Sequence, residues 1–280
     1  MLPRLVRDLL GEWELRADGA ATYGECALVL PVVADGAAAV LKVGWPHWEA
    51  EHEHLALRDW DGAGAVRLLR ADPHRYALLL ERCDTRDLNT IGVLEACELV
   101  ASSYRRLHVP AGPRYRLLSE QARRWAVELE ALSHDAPVPR RYVEQAAALA
   151  RDLGSDPACD GRLIHTDLHY ANVLAADREP WLVIDPKPLS GDPHFEIAPL
   201  LWNRWDELVA TGNVRRAVRQ RFHTIVDAAG LDEDRARDWV VVRELVNTLW
   251  AMDDLAGWRS DPDTKDWITE CLTIAKAVQD

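Results

Sequence analysis

The periodicity of the chain changes near residue 87, and that change limits the architectures open to it. Before it, short apolar runs are punctuated by Gly, Asp and Pro: CALVLPVV (26–33), AAAVLKV (37–43), AVRLLRA (65–71) and RYALLLER (75–82). Runs of this length between turn residues predict strands, with one helix interrupting them over 48–60. Beyond it, apolar residues recur at three- and four-residue spacing over 91–107, 117–133 and 139–153, predicting helices between Pro- and Gly-containing breaks. Short strands are expected around 163 and 181, then helices over 197–210, 214–229, 235–257 and 264–278. The expected fold is α+β, with a small β-rich N-terminal lobe over residues 1–85 and a larger helical lobe over 86–280.

Composition narrows the class. With 48% hydrophobic and 28% charged residues, the 280-residue chain has ample material for a core and reads as a soluble globular protein. No apolar run approaches membrane-span length, and MLPRLVRDLL, interrupted by Arg4, Arg7 and Asp8, reads as a short amphipathic helix. Five scattered cysteines without a CxxC pair point to free thiols in a reducing cytoplasm. A net charge of −13 disfavours a nucleic-acid partner, since binding phosphate backbones requires Lys and Arg to displace counterions. The same charge suits either plain solubility or the steering of a cationic small molecule. Nothing in the sequence decides between monomer and dimer.

The chemistry is concentrated in LIHTDLHYANVL (163–174). An apolar strand enters a loop bearing His165, Asp167 and Asn172, and another apolar strand leaves it. The pattern H-x-D-L-x-x-x-N is that of a phosphoryl-transfer loop, in which the Asp receives the acceptor hydroxyl proton and the Asn holds a metal ion. Asp185 ends a further apolar strand in WLVID, where a second metal-binding carboxylate belongs. A carboxylate at each of two neighbouring strand ends, with an amide between them, can converge on one Mg²⁺–phosphate group. Singly, Asp167 and Asn172 read as turn formers; together, between strands and ahead of Asp185, they read as a site. A second reading stays open. His165, Asp167 and His169 alternate in an extended segment and so resemble the ligands of a Zn²⁺ hydrolase. That reading leaves Asn172 and an upstream lysine without a role.

The upstream lysine is Lys42, one of only four in the chain, set inside AAAVLKV. A compact ammonium there suits the phosphates of a nucleotide such as ATP. A buried ammonium needs a carboxylate partner, and Glu49 and Glu53 share a face of the helix that follows. Glu53 is the expected partner, Glu49 the fallback. Residues 16–25 (RADGAATYGE) are placed to cover phosphates with backbone N–H groups, and the backbone of Glu81–Cys83 is placed to meet an adenine edge between the lobes.

The series Lys42, Glu53, HTDLHYAN, VIDPK and GDPHFEIAPLLWN resembles the aminoglycoside phosphotransferases, in the branch with streptomycin 6-phosphotransferases and hydroxyurea phosphotransferases. The resemblance spans nearly the whole chain, with its specific motifs at 37–60 and 163–203. It implies a bilobal protein-kinase-like fold and Mg²⁺- and ATP-dependent phosphorylation of a small-molecule hydroxyl. Carried over by position, Asp167 is the catalytic base, Asn172 and Asp185 bind Mg²⁺, and Lys42 contacts the nucleotide phosphates, paired with Glu53. Thr166 stands where protein kinases have Arg, Asp185-Pro-Lys replaces Asp-Phe-Gly, and no Ala-Pro-Glu follows, which disfavours a regulated protein kinase. After GDP the branch usually has an aromatic followed by Asp; here it is Phe195-Glu196.

The acceptor, cationic or polyhydroxylated, is expected over Asp167 and walled by the C-terminal helices. Candidate contacts are Asp192, Glu196, Asn203, Trp250, Asp253 and Asp254: carboxylates for ammonium or guanidinium groups, rings for a cationic or sugar face. The Asp253–Asp254 pair reads equally as a solvated helix face, and most of the twelve tryptophans as helix–helix packing. The expected activity is therefore that of a small-molecule kinase, against a metal-dependent hydrolase or a nucleotide-binding module that transfers nothing.

Overall fold

The structure, a computed structural model, describes residues 2–24, 26–253 and 261–279, with Asp253 through its backbone alone. The chain forms two compact units: Met1–Leu88 with Ala171–Pro188, and Asn89–Tyr170 with Leu189–Asp280. The first unit begins with α1 (Leu2–Glu12), β1 (Arg16–Ala17), β2 (Thr22–Tyr23), β3 (Ala27–Ala34), β4 (Ala37–Gly44), α2 (Glu53–Trp60), β5 (Leu68–Asp72) and β6 (Ala77–Glu81). The second takes up α3 (Val93–Leu107), α4 (Leu118–Ala131), α5 (Arg140–Ser155) and β7 (Arg162–Ile164). The chain then gives β8 (Val173–Ala175) and β9 (Trp181–Val183) to the first unit. It completes the second with β10 (Leu189–Gly191), α6 (Ala198–Trp202), α7 (Trp205–Ala210), α8 (Val214–Ala229), α9 (Glu233–Asp253) and α10 (Pro262–Ala277). Among the described residues no helix is long and apolar enough to cross a membrane.

In the first unit the strands run β1-β3-β4-β6-β5, with β2 also on β3. The β3–β4 hairpin turns through Asp35 and Gly36, both at positive φ (49° and 80°), the pairing a tight two-residue turn requires. Strict alternation along β4 sends Ala39, Leu41 and Val43 into a core with Leu9 and Trp13, and so turns Lys42 to the opposite face. The β8–β9 hairpin joins this unit through backbone bonds from Val66 to Val183 (2.9 Å) and from Val183 to Gly64 (2.9 Å).

Two expected helices differ in detail. The helix over 48–60 opens as a 3-10 turn, Trp48–His52, before α2 begins at Glu53. That tighter winding rotates Glu49 off the α2 face. The helix over 197–210 is broken at Arg204, which takes a left-handed conformation (φ 58°). Buried Arg221 of α8 accounts for the break: its guanidinium donates to the carbonyls of Asn203 (2.6 Å) and Arg204 (3.1 Å), satisfying groups that a helix end leaves bare.

In the second unit α9 packs against α4, α5 and α10. Trp239, Val240, Val241, Val242, Leu245 and Val246 are all buried, so the helix is covered on every side there. Glu244 lies in the same stretch, fully buried, with Cys271 and Asn247 beside its carboxylate. Burial pushes its carboxyl up to about 8, against the weaker opposing pull of Cys271, Arg243 and Asn247. An unfolded glutamate ionises near 4.5, so over the window from 4.5 to about 8 the folded state holds a proton that the unfolded state has released. Stability from this group is therefore undiminished below 4.5 and is lost as pH rises toward 8. Glu244→Gln should raise the melting temperature at pH 8 more than at pH 5 in paired thermal scans; an equal shift at both would show that Glu244 is ionised in the fold.

Candidate active site

In the first unit three charged side chains meet at Lys42. Its Nζ lies 2.7 Å from Glu53 Oε1 and 2.5 Å from Asp185 Oδ1. Burial works against the ammonium, but the two carboxylates outweigh it and hold the Lys42 pKa above its usual value. Glu53 faces inward at 5% exposure. Glu49 instead lies beside His47, its Oε2 3.5 Å from Nδ1.

Asn172 and Asp185 share the open end of the β8–β9 hairpin. Val173 pairs with Val183, and one step outward the Ile184 N–H donates to the Asn172 carbonyl (2.9 Å). Asp185 follows at φ 56°, a left-handed conformation that Asp tolerates better than most residues. Asn172 is buried, whereas the Asp185 side chain is 42% exposed. A carboxylate and an amide, both oxygen donors with solvent at hand, suit a hard ion such as Mg²⁺ that keeps water or phosphate oxygens in its shell.

In the second unit the loop from β7 to Tyr170 is fixed from beneath by an interior carboxylate. The His165 N–H donates to Glu196, which is fully buried. His108 Nε2 lies 3.6 Å from the same carboxylate, its ring stacked on Tyr104 (4.7 Å between centroids), and the Tyr104 hydroxyl donates to the Glu196 carbonyl (3.3 Å). Burial would raise the Glu196 carboxyl, yet His108 and the His165 N–H hold it below the usual carboxylate value. Thr166 then takes φ 66°, an outlier for a β-branched residue and the point at which the chain reverses toward Asp167. The Asp167 N–H donates to His165 Nδ1 (3.2 Å), and the Tyr170 hydroxyl donates to the Leu200 carbonyl (2.9 Å). Asp167 itself is half-buried. Gly191 of β10 is required beside the loop, because a Cβ there would fall 2.3 Å from Ile164 Cδ1.

Other candidates lie elsewhere. Glu81 is held by Arg178 (2.6 Å), and its N–H already donates to the Arg67 carbonyl (3.1 Å), so that amide is not open to an adenine edge; Cys83 is half-buried beyond it. Asp192 and Glu196, expected at the acceptor, are interior. Asp192 is 1% exposed and accepts from Arg235 Nε (2.5 Å) and Trp239 Nε1 (2.7 Å), with His194 Nδ1 at 2.6 Å. Their bonds tie α9 and the H-x-D loop in place. Asn203 turns its amide back to the Pro199 carbonyl (2.9 Å). Trp250 is half-buried on α9 and lines a cavity. Asp254 lies outside the described residues, as does the Asp253 side chain. The zinc arrangement is not formed: His165 is fully buried with Nδ1 facing the Asp167 N–H, and among the described residues no group of three or more His, Cys, Asp and Glu side chains is placed to hold a metal ion. The parts that sequence reasoning missed are Tyr104 and Arg221, polar residues on apolar helix faces, and His108, which follows the end of α3.

A strand-rich unit carrying a Lys–Glu–Asp cluster, joined to a helical unit carrying the H-x-D loop, defines a kinase-like fold. Solved structures share it: an aminoglycoside phosphotransferase (TM-score 0.66, 16% identical, covering 99% of each chain) and a choline/ethanolamine kinase family protein from Mesorhizobium loti (TM-score 0.66, 16% identical, covering 100% of this chain and 95% of that one). The chain belongs to the aminoglycoside/hydroxyurea antibiotic resistance kinases, whose family pattern it matches over residues 12–255. It is 44% identical over 259 residues to a streptomycin 6-kinase of Streptomyces glaucescens, covering 90% of this chain and 84% of that one. It is 42% identical over 263 residues to a hydroxyurea phosphotransferase of Kitasatospora aureofaciens, covering 90% and 74%.

Glu196→Gln tests the anchor beneath the loop. An amide of the same size supplies one acceptor oxygen and no charge to His165 and His108. Urea unfolding should show a loss of about 1–3 kcal/mol, with a fall in turnover; an unchanged midpoint would mean that Glu196 does not hold the loop.

Proposed function

We propose that the protein transfers the γ-phosphoryl group of ATP to a hydroxyl of an aminoglycoside of the streptomycin type or of hydroxyurea. The observation that carries this reading is the Lys42 ammonium engaged by both Glu53 and Asp185, a buried cation held with no structural need for its charge in an apolar strand. The names of the relatives supply the acceptor class, and the match over most of the chain brings it here.

Each residue then has a task. Asp167 accepts the proton of the acceptor hydroxyl and aims its oxygen at phosphorus as the bond to the ADP leaving group breaks. Lys42 presents its charge to the nucleotide phosphates, with Glu53 fixing its direction. Asn172 and Asp185 would hold Mg²⁺, which neutralises charge on the β- and γ-phosphates. The Lys42–Asp185 contact directs that carboxylate. Thr166, lacking the charge of an Arg, gives the loop no group to receive a phosphorylated activation segment, so it is assembled constitutively. Catalysis rests on positioning and electrostatics, as a loose phosphoryl transition state requires.

ADP release with Mg·ATP, measured with streptomycin and with hydroxyurea, tests the reading; release that depends on neither would refute it. Asp167→Asn should lower turnover by about 10² or more while nucleotide binding persists. Asp185→Ala should remove the response of activity to added Mg²⁺. Near-normal turnover of Asp167→Asn would take the base assignment with it.

A further inference from the structure

The β8–β9 hairpin carries Asn172 and Asp185 at its open end, and each of its strands is three residues long. A two-stranded ribbon of that size has no stability of its own, so its orientation comes from what holds it. Backbone bonds hold the strands: Val183 exchanges them with Gly64 and Val66, and Ala175 with Asp84 and Arg86. The closed end is held by one side chain. Arg178 lies in the turn between the strands, its side chain 23% exposed. Its Nη1 donates to the Gly62 carbonyl (2.7 Å) and to Glu179 (2.8 Å). Its Nη2 donates to the Ala65 carbonyl (3.0 Å) and to Glu81 Oε1 (2.6 Å), and its Nε to Glu81 Oε2 (3.2 Å). Every nitrogen of the fork is engaged.

The acceptors are shaped to receive it. Asp61, Gly62 and Gly64 take positive φ (45°, 78° and 82°), which turns the chain sharply after α2 and brings the Gly62 and Ala65 carbonyls to one guanidinium. Gly62 has no room for a side chain, since a Cβ would fall 2.8 Å from Arg67 Cγ. Glu81, at the end of β6, gives both oxygens to Arg178, while its Oε1 also accepts from the Arg67 N–H (3.1 Å). A bidentate arginine–carboxylate pair with two further carbonyls fixes direction as well as distance, which an ammonium does not. The same guanidinium therefore grips two things: the connection that leaves α2, the helix beginning with Glu53, and the hairpin that ends in Asp185. Those two carboxylates are the partners of the Lys42 ammonium.

We propose that Arg178 is a positioning residue for phosphoryl transfer: by locking the closed end of the hairpin to the α2–β5 connection and to Glu81, it sets where Asn172 and Asp185 are delivered beside Lys42. It acts at the far end of the same two strands and of the same helix, so its effect reaches the site as a rotation of rigid elements. Misplacing a reacting group by about 1 Å costs up to about 10² in rate. The inference rests on the phosphotransferase reading, which gives Asn172 and Asp185 to a metal–nucleotide group, and adds to it a residue remote from that group.

Calorimetric titration of the full chain with ATP, run with and without Mg²⁺, reads the site independently of transfer. The parent should bind ATP more tightly when Mg²⁺ is present. Arg178→Met keeps the reach of the side chain and removes its donors. It should cut that Mg²⁺-dependent gain about fivefold or more and lower kcat for acceptor-dependent ADP release about tenfold, with the acceptor KM within about twofold of the parent. Arg178→Lys keeps the charge without the fork and carries the test if the Met variant fails to fold; it should lose at least about threefold of the same gain. Arg75→Gln is the control for stability alone, because Arg75 makes a comparable ion network with Glu12 and Asp72, between α1 and the end of β5. Its melting temperature should fall while the Mg²⁺ gain stays within about twofold of the parent. The inference is overturned if folded Arg178 variants keep both the gain and kcat within about twofold of the parent, or if Arg75→Gln reduces the gain as much as they do. A parent whose ATP affinity ignores Mg²⁺ and that releases no ADP would refute the phosphotransferase reading and the inference together. A responsive parent beside unaffected Arg178 variants would sink the inference alone.

Discussion

The Lys42 ammonium is the constraint around which the first unit is arranged. A buried cation in a low-dielectric interior is tolerable only with close, well-directed partners, and losing either leaves an uncompensated charge. Here the partners come from three separate stretches: β4 supplies the ammonium, α2 begins with Glu53, and Asp185 ends the β8–β9 hairpin. An apolar cluster would hold the same elements together without the desolvation cost. What the ion cluster adds is direction, since a charged hydrogen bond tolerates little rotation. The 3-10 turn over Trp48–His52 is a local consequence, because it is the start of α2 at Glu53 that delivers this carboxylate in place of Glu49.

Interior carboxylates do related work in the second unit. Asp192 gathers Arg235, Trp239 and His194, and Glu196 gathers the His165 N–H and His108. Both are held below their usual pKa despite burial, the signature of an anion whose partners exceed its desolvation penalty. Glu196 thereby fixes the backbone immediately before Thr166, where a positive φ needs support from its surroundings. The length of the Glu side chain matters at this position: it reaches a backbone donor on a neighbouring segment while its own carbonyl is taken by Tyr104.

How far these features were legible in the sequence follows from the range of the forces behind them. Alternation along β4 and the three- to four-residue spacing of the helices are local patterns, and α8 and the β3–β4 hairpin are found where those patterns place them. The H-x-D-L-x-x-x-N spacing is local in the same way, and the motif falls between β7 and β8 as its flanking apolar runs predict. Asp192 and Glu196 were misplaced because an acidic residue in a polar motif looks the same whether it faces solvent or a buried arginine. Only the tertiary arrangement of α9 decides that. The break at Arg204 was hidden for the same reason, as the group that satisfies the exposed carbonyls, Arg221, lies on another helix.

The balance between burial and partners is what separates the buried polar groups of this chain. Lys42, Asp192, Glu196 and the Tyr170 hydroxyl all have partners, and each orients backbone or a neighbouring side chain. Glu244 on α9 is the opposite case, a carboxylate whose burial outweighs its partners and raises its pKa.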